Sequence, residues 1–332
     1  MSATVSKVIV FGATGAIGTS LIEILHEKQP TWEILAVSRS GPKDDSPLSK
    51  IPQVTIVKGD AEDLETVQEL TKDLQLVFCT VGFTQYESKY WAKHWPVVVD
   101  NLLAVTNESR PLVFCDNLYA YGPCTNISPS SPTVSPSTKS KPAIRALLHQ
   151  KFQERMDTLP KSIVVVGGAD FFGTGVTNVS FLGDTFVGNM VRGTKPLAIG
   201  TADAIHDFCY TKDFANALYI ASVNPNEAFG KFWTCPHSIH DRSMRQIADQ
   251  VNALLESPVK GVSVMPTFMV YVLSPFMGFM KELKEMLPFW TKDYSVDDSD
   301  FCDTFGIAAT PPHEALREYV EFYKSIHETT SK

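Results

Sequence analysis

Residues Lys7 to Gly18 read Lys-Val-Ile-Val-Phe-Gly-Ala-Thr-Gly-Ala-Ile-Gly. Val8 to Phe11 is a short, continuous apolar run, which suits a strand buried on both faces of a parallel sheet. Glycines follow at 12, 15 and 18, and a helical apolar stripe of Ile17, Leu21, Ile24 and Leu25 opens at once. Strand, tight glycine turn and helix in that order make the dinucleotide-binding pattern. Gly12 permits the turn, Gly15 lets the backbone approach a pyrophosphate, and Gly18 lets the helix pack on the strand. Thr14, Ala16 and Ile17 complete the cradle. There the free N–H groups and positive end of the helix dipole face the phosphates.

The alternation continues. Glu33–Val37 reads as the second strand and ends in Ser38-Arg39-Ser40. About twenty residues after the third glycine, an NAD-binding fold places an acidic residue on the ribose 2′-hydroxyl. Here that slot holds Ser38 with Arg39 beside it, a hydroxyl and a guanidinium that suit a 2′-phosphate. The expected cofactor is therefore NADP(H) rather than NAD(H). Val54–Val57 is a third strand, followed by Lys58-Gly59-Asp60-Ala61. A carboxylate just past this strand meets the adenine amine or, at Asp63, caps the next helix. Gln75–Cys79 is the fourth strand, and Thr80-Val81-Gly82 at its end lie where a dinucleotide crosses the sheet. The stretch from Tyr86 to Asn107 is helical, with Trp91 and Trp95 as core or subunit contact. Pro111–Cys115 is the fifth strand and Lys161–Val166 the sixth.

The fifth strand runs into Asp116-Asn-Leu-Tyr-Ala-Tyr-Gly-Pro123. With Gly12-Ala-Thr-Gly-Ala-Ile-Gly18, Lys58-Gly-Asp-Ala61, Gly168-Ala-Asp-Phe-Phe-Gly173 and Asp213-Phe-Ala-Asn-Ala217, this segment resembles the short-chain dehydrogenase/reductase superfamily, in its NAD-dependent epimerase/dehydratase-like branch. The resemblance covers nearly all of the chain. It implies an α/β fold: a doubly wound parallel Rossmann sheet over 1–168, to which 200–224 return, and a smaller C-terminal α/β substrate lobe over 169–199 and 225–332. It also implies a Tyr-x-x-x-Lys pair at the start of the helix after the fifth strand, the tyrosine moving a proton as hydride moves at carbon. No Tyr-x-x-x-Lys occurs in this chain. On alignment Lys141 falls in the tyrosine slot, Arg145 in the lysine slot, and Asn117 near the slot of an assisting hydroxyl.

Three readings follow. Lys141 is the proton donor, its pKa lowered by Arg145 and by burial. Alternatively Tyr119 or Tyr121 supplies the acid, with Lys141 and Arg145 on cofactor ribose or phosphate. Or the chain binds NADP(H) without carbonyl chemistry. The resemblance further places Asp170, Phe171 and Phe172 in the substrate cleft, with His206 beside it. Sugar-nucleotide enzymes often carry an arginine near this last point to hold a diphosphate, and His206-Asp207 stand there instead.

The formal net charge of −8 and the lack of a basic block exclude a general nucleic-acid binder. None of the six cysteines forms a C-x-x-C pair, and His237 and His240 show no third ligand nearby, so no metal is expected. Free thiols and an N-terminus without a signal-peptide pattern suggest a cytoplasmic protein. Gly261 to Met280 holds no charged residue, but Pro266 and Pro275 interrupt it. This stretch is expected to form buried or pocket-lining helices, with peripheral membrane contact as the other reading and no integral span. Its methionines and phenylalanines suit an adaptable apolar wall. The expected function is an NADP(H)-dependent oxidoreductase on a small, fairly apolar carbonyl or enone, as monomer or homodimer. The alternatives are an epimerase or isomerase of a sugar-like substrate and a non-catalytic NADP(H)-sensing protein.

Overall fold

The computed structural model describes residues 6–42 and 46–330. Six parallel strands, β1 (Lys7–Phe11), β2 (Glu33–Ser38), β3 (Val54–Lys58), β4 (Leu76–Cys79), β5 (Leu112–Asn117) and β6 (Ile163–Gly168), belong to one central sheet. β7 (Asp170–Phe172), β8 (Leu197–Ile199) and β9 (Phe208–Tyr210) lie outside it, β10 (Phe232–Thr234) returns to it, and β11 (Ser263–Met265) leaves it again. The sheet order is β10-β6-β5-β4-β1-β2-β3, and every pairing is parallel.

The apolar runs become strands because both faces are covered. Along β1, Ile9 and Phe11 enter one core while Val8 and Val10 enter the other. The helices Ser88–Val105 and Lys141–Thr158 pack together on one side, and Ala16–Lys28 packs with Thr211–Val223 on the other. From β1 the chain winds outward to β2 and β3, then crosses to β4 on the far side of β1. The carboxyl ends of β1 and β4 therefore flank the switch point, where open α/β sheets bind their ligands.

Two expectations need correcting. The sixth strand begins at Ile163 and runs on to Gly168, two residues beyond the expected start, because Lys161 lies in a short 3₁₀ turn opened by Pro160. Phe232–Thr234, expected in the smaller lobe, forms the sheet edge beside β6. Its Trp233 packs into the core shared with Phe214 and Leu218. Outside the sheet, β7 pairs with β9 and β8 with β11. The uncharged stretch folds as β11, a short helix Thr267–Leu273 and the start of the helix Gly278–Thr291. Among the described residues no helix is long and apolar enough to cross a membrane.

Candidate functional site

A cleft of about 490 Å³ opens at the switch point. Gly12, Thr14, Gly15, Ala16 and Ile17 line it from the first turn, Ser38 and Arg39 from the end of β2, Asp60 and Ala61 from the end of β3, and Thr80, Val81 and Gly82 from the end of β4. The sequence also singled out Gly18 and Ser40, which do not line it. Gly18 lies behind the turn: a Cβ there would stand 2.3 Å from Gly12 O. Ser40 is exposed, its Oγ 3.4 Å from Ser38 Oγ.

The glycines divide by what surrounds them. Gly12 has φ +82°, and a Cβ would meet the Thr80 backbone at 2.6 Å, so packing and conformation both demand glycine. Thr80 pins this turn, its Oγ1 donating to Phe11 O at 3.1 Å and Gly12 O at 3.2 Å. At Gly15 the nearest atom to a Cβ is Gly12 O at 3.4 Å, and at Gly82 there is nothing within 4 Å. The protein's own packing does not require glycine at these two cleft positions, and the missing side chains leave the backbone open to the cleft. The helix Ala16–Lys28 opens at Gly15 with no side-chain cap, leaving its first N–H groups for an anion. The turn after β2, closed by Gly41 N donating to Ser38 O at 3.2 Å, carries Arg39 exposed at the rim without an ion pair to any described residue. These features fit a nicotinamide dinucleotide.

Phe83, Thr84, Val98, Phe171 and the segment Gly175–Val179 also line the cleft. Of these, the sequence singled out only Phe171. Gly175, at φ +83°, brings its backbone against Ala16, so this segment covers the start of the helix. The sequence reading missed this segment: Gly173 and Gly175 are the local signal of a tight turn, but nothing local in the chain gives where it lands.

Next to the lining residue Phe171, residues from three elements form a hydrogen-bonded chain, but none of them lines the cleft itself: His206 is buried, and Asp170, expected in the cleft with it, lies on the opposite face of its strand from Phe171. Tyr119, in a 3₁₀ turn after β5, donates from its hydroxyl to Asp170 Oδ1 at 2.9 Å. Asp170 Oδ2 lies 2.8 Å from His206 Nε2, and His206 Nδ1 lies 3.2 Å from Phe289 O. The ring is thus held at both nitrogens. Tyr86 donates to the Tyr119 hydroxyl at 3.3 Å. His206 is clamped by Trp290, stacked at 3.9 Å, and by Tyr294. Burial, and then the negative charge of Asp170, push the Tyr119 hydroxyl well above its ordinary pKa, so it remains a protonated donor.

Other candidates lie elsewhere. Lys141 is fully buried; its Nζ lies 2.5 Å from Glu282, 3.4 Å from Glu285 and 3.3 Å from Ser88 Oγ, and over the Tyr86 ring. It does not line the cleft, and a lysine held by two carboxylates is an ion-pair anchor rather than a free acid. Burial works against the charge of Glu282, but Lys141 and Ser88 outweigh it and hold that carboxyl below its ordinary value. Arg145 turns from the cleft to Asp116 at 2.7 Å and stacks on Trp95 at 3.8 Å. Burial raises the Asp116 carboxyl above its ordinary value in spite of that partner. Tyr121 points to His149, 3.3 Å away, which burial holds down to about 4. Asn117 caps the 3₁₀ turn, its Oδ1 accepting from Tyr119 N at 3.1 Å. Phe172, expected in the cleft, is fully buried core. A strand sends successive side chains to opposite faces, so Phe171 and Phe172 cannot share a surface.

The histidine pair also differs from expectation. Asp298, remote in sequence, brings a third group to within 4.8 Å of His237 and His240. His240 bridges Asp207 at 3.1 Å and Asp298 at 3.0 Å, and these carboxylates raise it to about 10. His237 Nε2 accepts from Ala169 N at 2.9 Å, which leaves its proton on Nδ1 toward Asp298. That tautomer offers no lone pair to a cation at Nδ1.

Residues 4–92 match the model of the NmrA-like family. The curated oxidase ucsJ of an Acremonium species is 33% identical over 81 residues, which are 24% of this chain and 23% of that protein. The chain thus matches under a quarter of that relative's length. Among solved structures, dTDP-glucose 4,6-dehydratase from Bacillus anthracis in complex with NAD superposes with a TM-score of 0.77 at 16% identity, covering 97% of this chain and 98% of that one. UDP-glucose 4-epimerase from Thermotoga maritima, with UDP-glucose, gives 0.73 at 15%, over 97% and 99%. UDP-glucuronic acid 4-epimerase from Bacillus cereus, in complex with NAD, gives 0.72 at 14%, over 97% and 99%. The fold is a Rossmann-like α/β fold with a seven-stranded parallel sheet, matching those NAD-dependent epimerase and dehydratase structures.

Proposed function

We propose that, on this short-chain-dehydrogenase fold, the chain is an NADP(H)-dependent oxidoreductase that reduces a small, fairly apolar carbonyl or enone, with Tyr119 as proton donor. The observation that carries the reading is the hydrogen-bonded chain from Tyr119 through Asp170 to His206, next to a cleft suited to a dinucleotide. In this reading Gly12–Ile17 take the pyrophosphate, Asp60 and Ala61 the adenine side, Arg39 with Ser38 the 2′-phosphate, and Thr80–Gly82 the nicotinamide half. The bound dinucleotide supplies the hydride. The nucleotide belongs to 1–168 with 200–224 and β10, and the substrate to the remaining lobe.

Tyr119 Oη gives its proton to the substrate oxygen as that oxygen gains charge. The single O–H, which donates to Asp170 Oδ1 here, turns to the substrate oxygen for the transfer, and a proton from water, relayed by Asp170, restores it. Trp290 and Tyr294 fix the imidazole plane, and Phe289 O holds its Nδ1 edge. Asp170 keeps 14% of its side-chain surface exposed, a contact with water for that relay. Phe83, Phe171 and Val179 give the cleft apolar walls, which favour an apolar substrate. Replacing Tyr119 by Phe is expected to lower NADPH-dependent turnover by about 10²–10⁴-fold while leaving NADPH affinity in place. Arg39→Ala is expected to weaken NADPH by about tenfold or more, the size of a charge-assisted hydrogen bond, with NADH little changed. Titration with both nucleotides checks this, and equal losses would remove the NADP(H) preference.

A non-catalytic NADP(H)-sensing role is the second reading. It is favoured by the engagement of both Lys141 and Arg145 in buried ion pairs, away from the cleft. NADPH that binds tightly but is consumed with no aldehyde, ketone or enone would favour it over the first.

A further inference from the structure

Eight of the thirteen large apolar side chains that stand exposed among the described residues fall between Val264 and Phe279. Phe276 is 84% exposed, Phe268 65%, Phe279 62% and Val272 61%, with Tyr271 and Met277 beside them. Single exposed apolar residues are ordinary, but a contiguous set on one face marks a contact surface. The set is held in place from below: Val270, Met280, Leu283 and Leu287 form a small core of their own, joining the helices Thr267–Leu273 and Gly278–Thr291.

Charge tells what the face meets. From Lys260 to Lys281 the chain carries no acidic residue. On the helix Gly278–Thr291, Lys281 and Lys284 are exposed. Glu282 and Glu285 turn inward instead, onto Lys141 and Ser88. The helix thus hides its acids and shows its cations next to the apolar face, although the whole chain has a net charge of −8. Lys284 also lies over the Tyr271 ring, 5.0 Å from its centroid. A symmetric pair of chains joined by this face would bring like charges together at the rim. An anionic bilayer gives the lysines their counter-charges and the phenylalanines an apolar phase, as for helices lying in a membrane interface.

We infer that the 264–279 face docks the protein peripherally on anionic lipid bilayers, with Phe268, Phe276 and Phe279 inserted and Lys281 and Lys284 on the headgroups. The inference stands apart from the oxidoreductase reading. Flotation of the full chain with vesicles of phosphatidylcholine, alone or with phosphatidylglycerol, tests it. The chain is expected to float with the anionic vesicles far more than with the neutral ones. Phe276→Asp with Phe279→Asp should abolish flotation. Lys281→Glu with Lys284→Glu should lower anionic-vesicle binding by about tenfold or more. All four side chains are exposed, and unchanged thermal melting shows that the variants fold. No flotation of the folded wild type, or equal flotation of wild type and both variants, would overturn the inference. So would light scattering that finds a wild-type dimer which Phe276→Asp splits, in a chain that binds no vesicles; the face then belongs to a second copy.

Discussion

Tyr119 and Lys141 lie on the same side of the sheet, joined through Tyr86, yet their surroundings give them opposite roles. Tyr119 keeps its proton and donates a hydrogen bond to a carboxylate, whereas Lys141 is locked between Glu282 and Glu285. Replacing Lys141 by Met leaves those two carboxylates part-buried without a cation. The expected cost is about 3–5 kcal/mol of folding stability, with little direct effect on the proton donor. Urea unfolding of the wild type and Lys141→Met gives the difference, and a loss of turnover without loss of stability would return Lys141 to the chemistry. His240 yields a pH prediction. Its folded value of about 10 lies above the ordinary 6.5. The stability it contributes is therefore fully present below about pH 6.5 and lost as pH rises through about 10. The melting gap between wild type and His240→Gln should be widest at the acid end of that range and close at the alkaline end. A gap independent of pH would show that the charge contributes nothing. Tyr119, Asp170 and His206 are each singled out in the chain as candidates, but their meeting is not legible there. They come from a turn, a strand and a loop, and only the tertiary fold sets such separations. Lys141 was misplaced for the same reason: alignment gives a slot, not the two glutamates that fill the space around it.

The first turn and the helix Gly278–Thr291 differ in how much local sequence says about them. The turn is specified locally, by glycines whose spacing encodes both conformation and clearance. Gly12→Ala puts a Cβ 2.6 Å from the Thr80 backbone at a positive φ and should destabilise the fold, whereas Gly15→Ala meets nothing closer than 3.4 Å. Gly15→Ala is therefore expected to change thermal stability little, within about 1 kcal/mol, and to weaken NADPH binding. Melting curves with and without NADPH separate the two effects; a large loss of stability without nucleotide in Gly15→Ala would make Gly15 a packing residue. The helix Gly278–Thr291 is legible only as an apolar segment running into charge. Its three tasks depend on what its faces meet: lysines to solvent, Glu282 and Glu285 to Lys141, Phe289 and Trp290 to Tyr119 and His206. The expectation of buried or pocket-lining helices over 261–280 holds for Val270 and Met280 and fails for Phe268, Phe276 and Phe279.

At the scale of the molecule, the βα alternation, strand order and switch point follow from apolar runs of strand length separated by amphipathic helices, and these were readable over β1 to β6. β10 escaped because three residues are too few for a period and its neighbour, β6, lies more than sixty residues earlier. The topology brings the ends of β1 and β4 together around the cleft, and joins Tyr119, Asp170 and His206 by hydrogen bonds next to its lining residue Phe171. The central claim is that this arrangement moves a proton from Tyr119 while a nicotinamide dinucleotide is consumed. NADPH oxidation by the wild type and Tyr119→Phe, across a panel of apolar aldehydes, ketones and enones, tests it most directly. The account predicts turnover of at least one substrate by the wild type, and its loss in Tyr119→Phe with NADPH binding retained. Full turnover in Tyr119→Phe, or no NADPH oxidation by a wild type that binds NADPH, would contradict it.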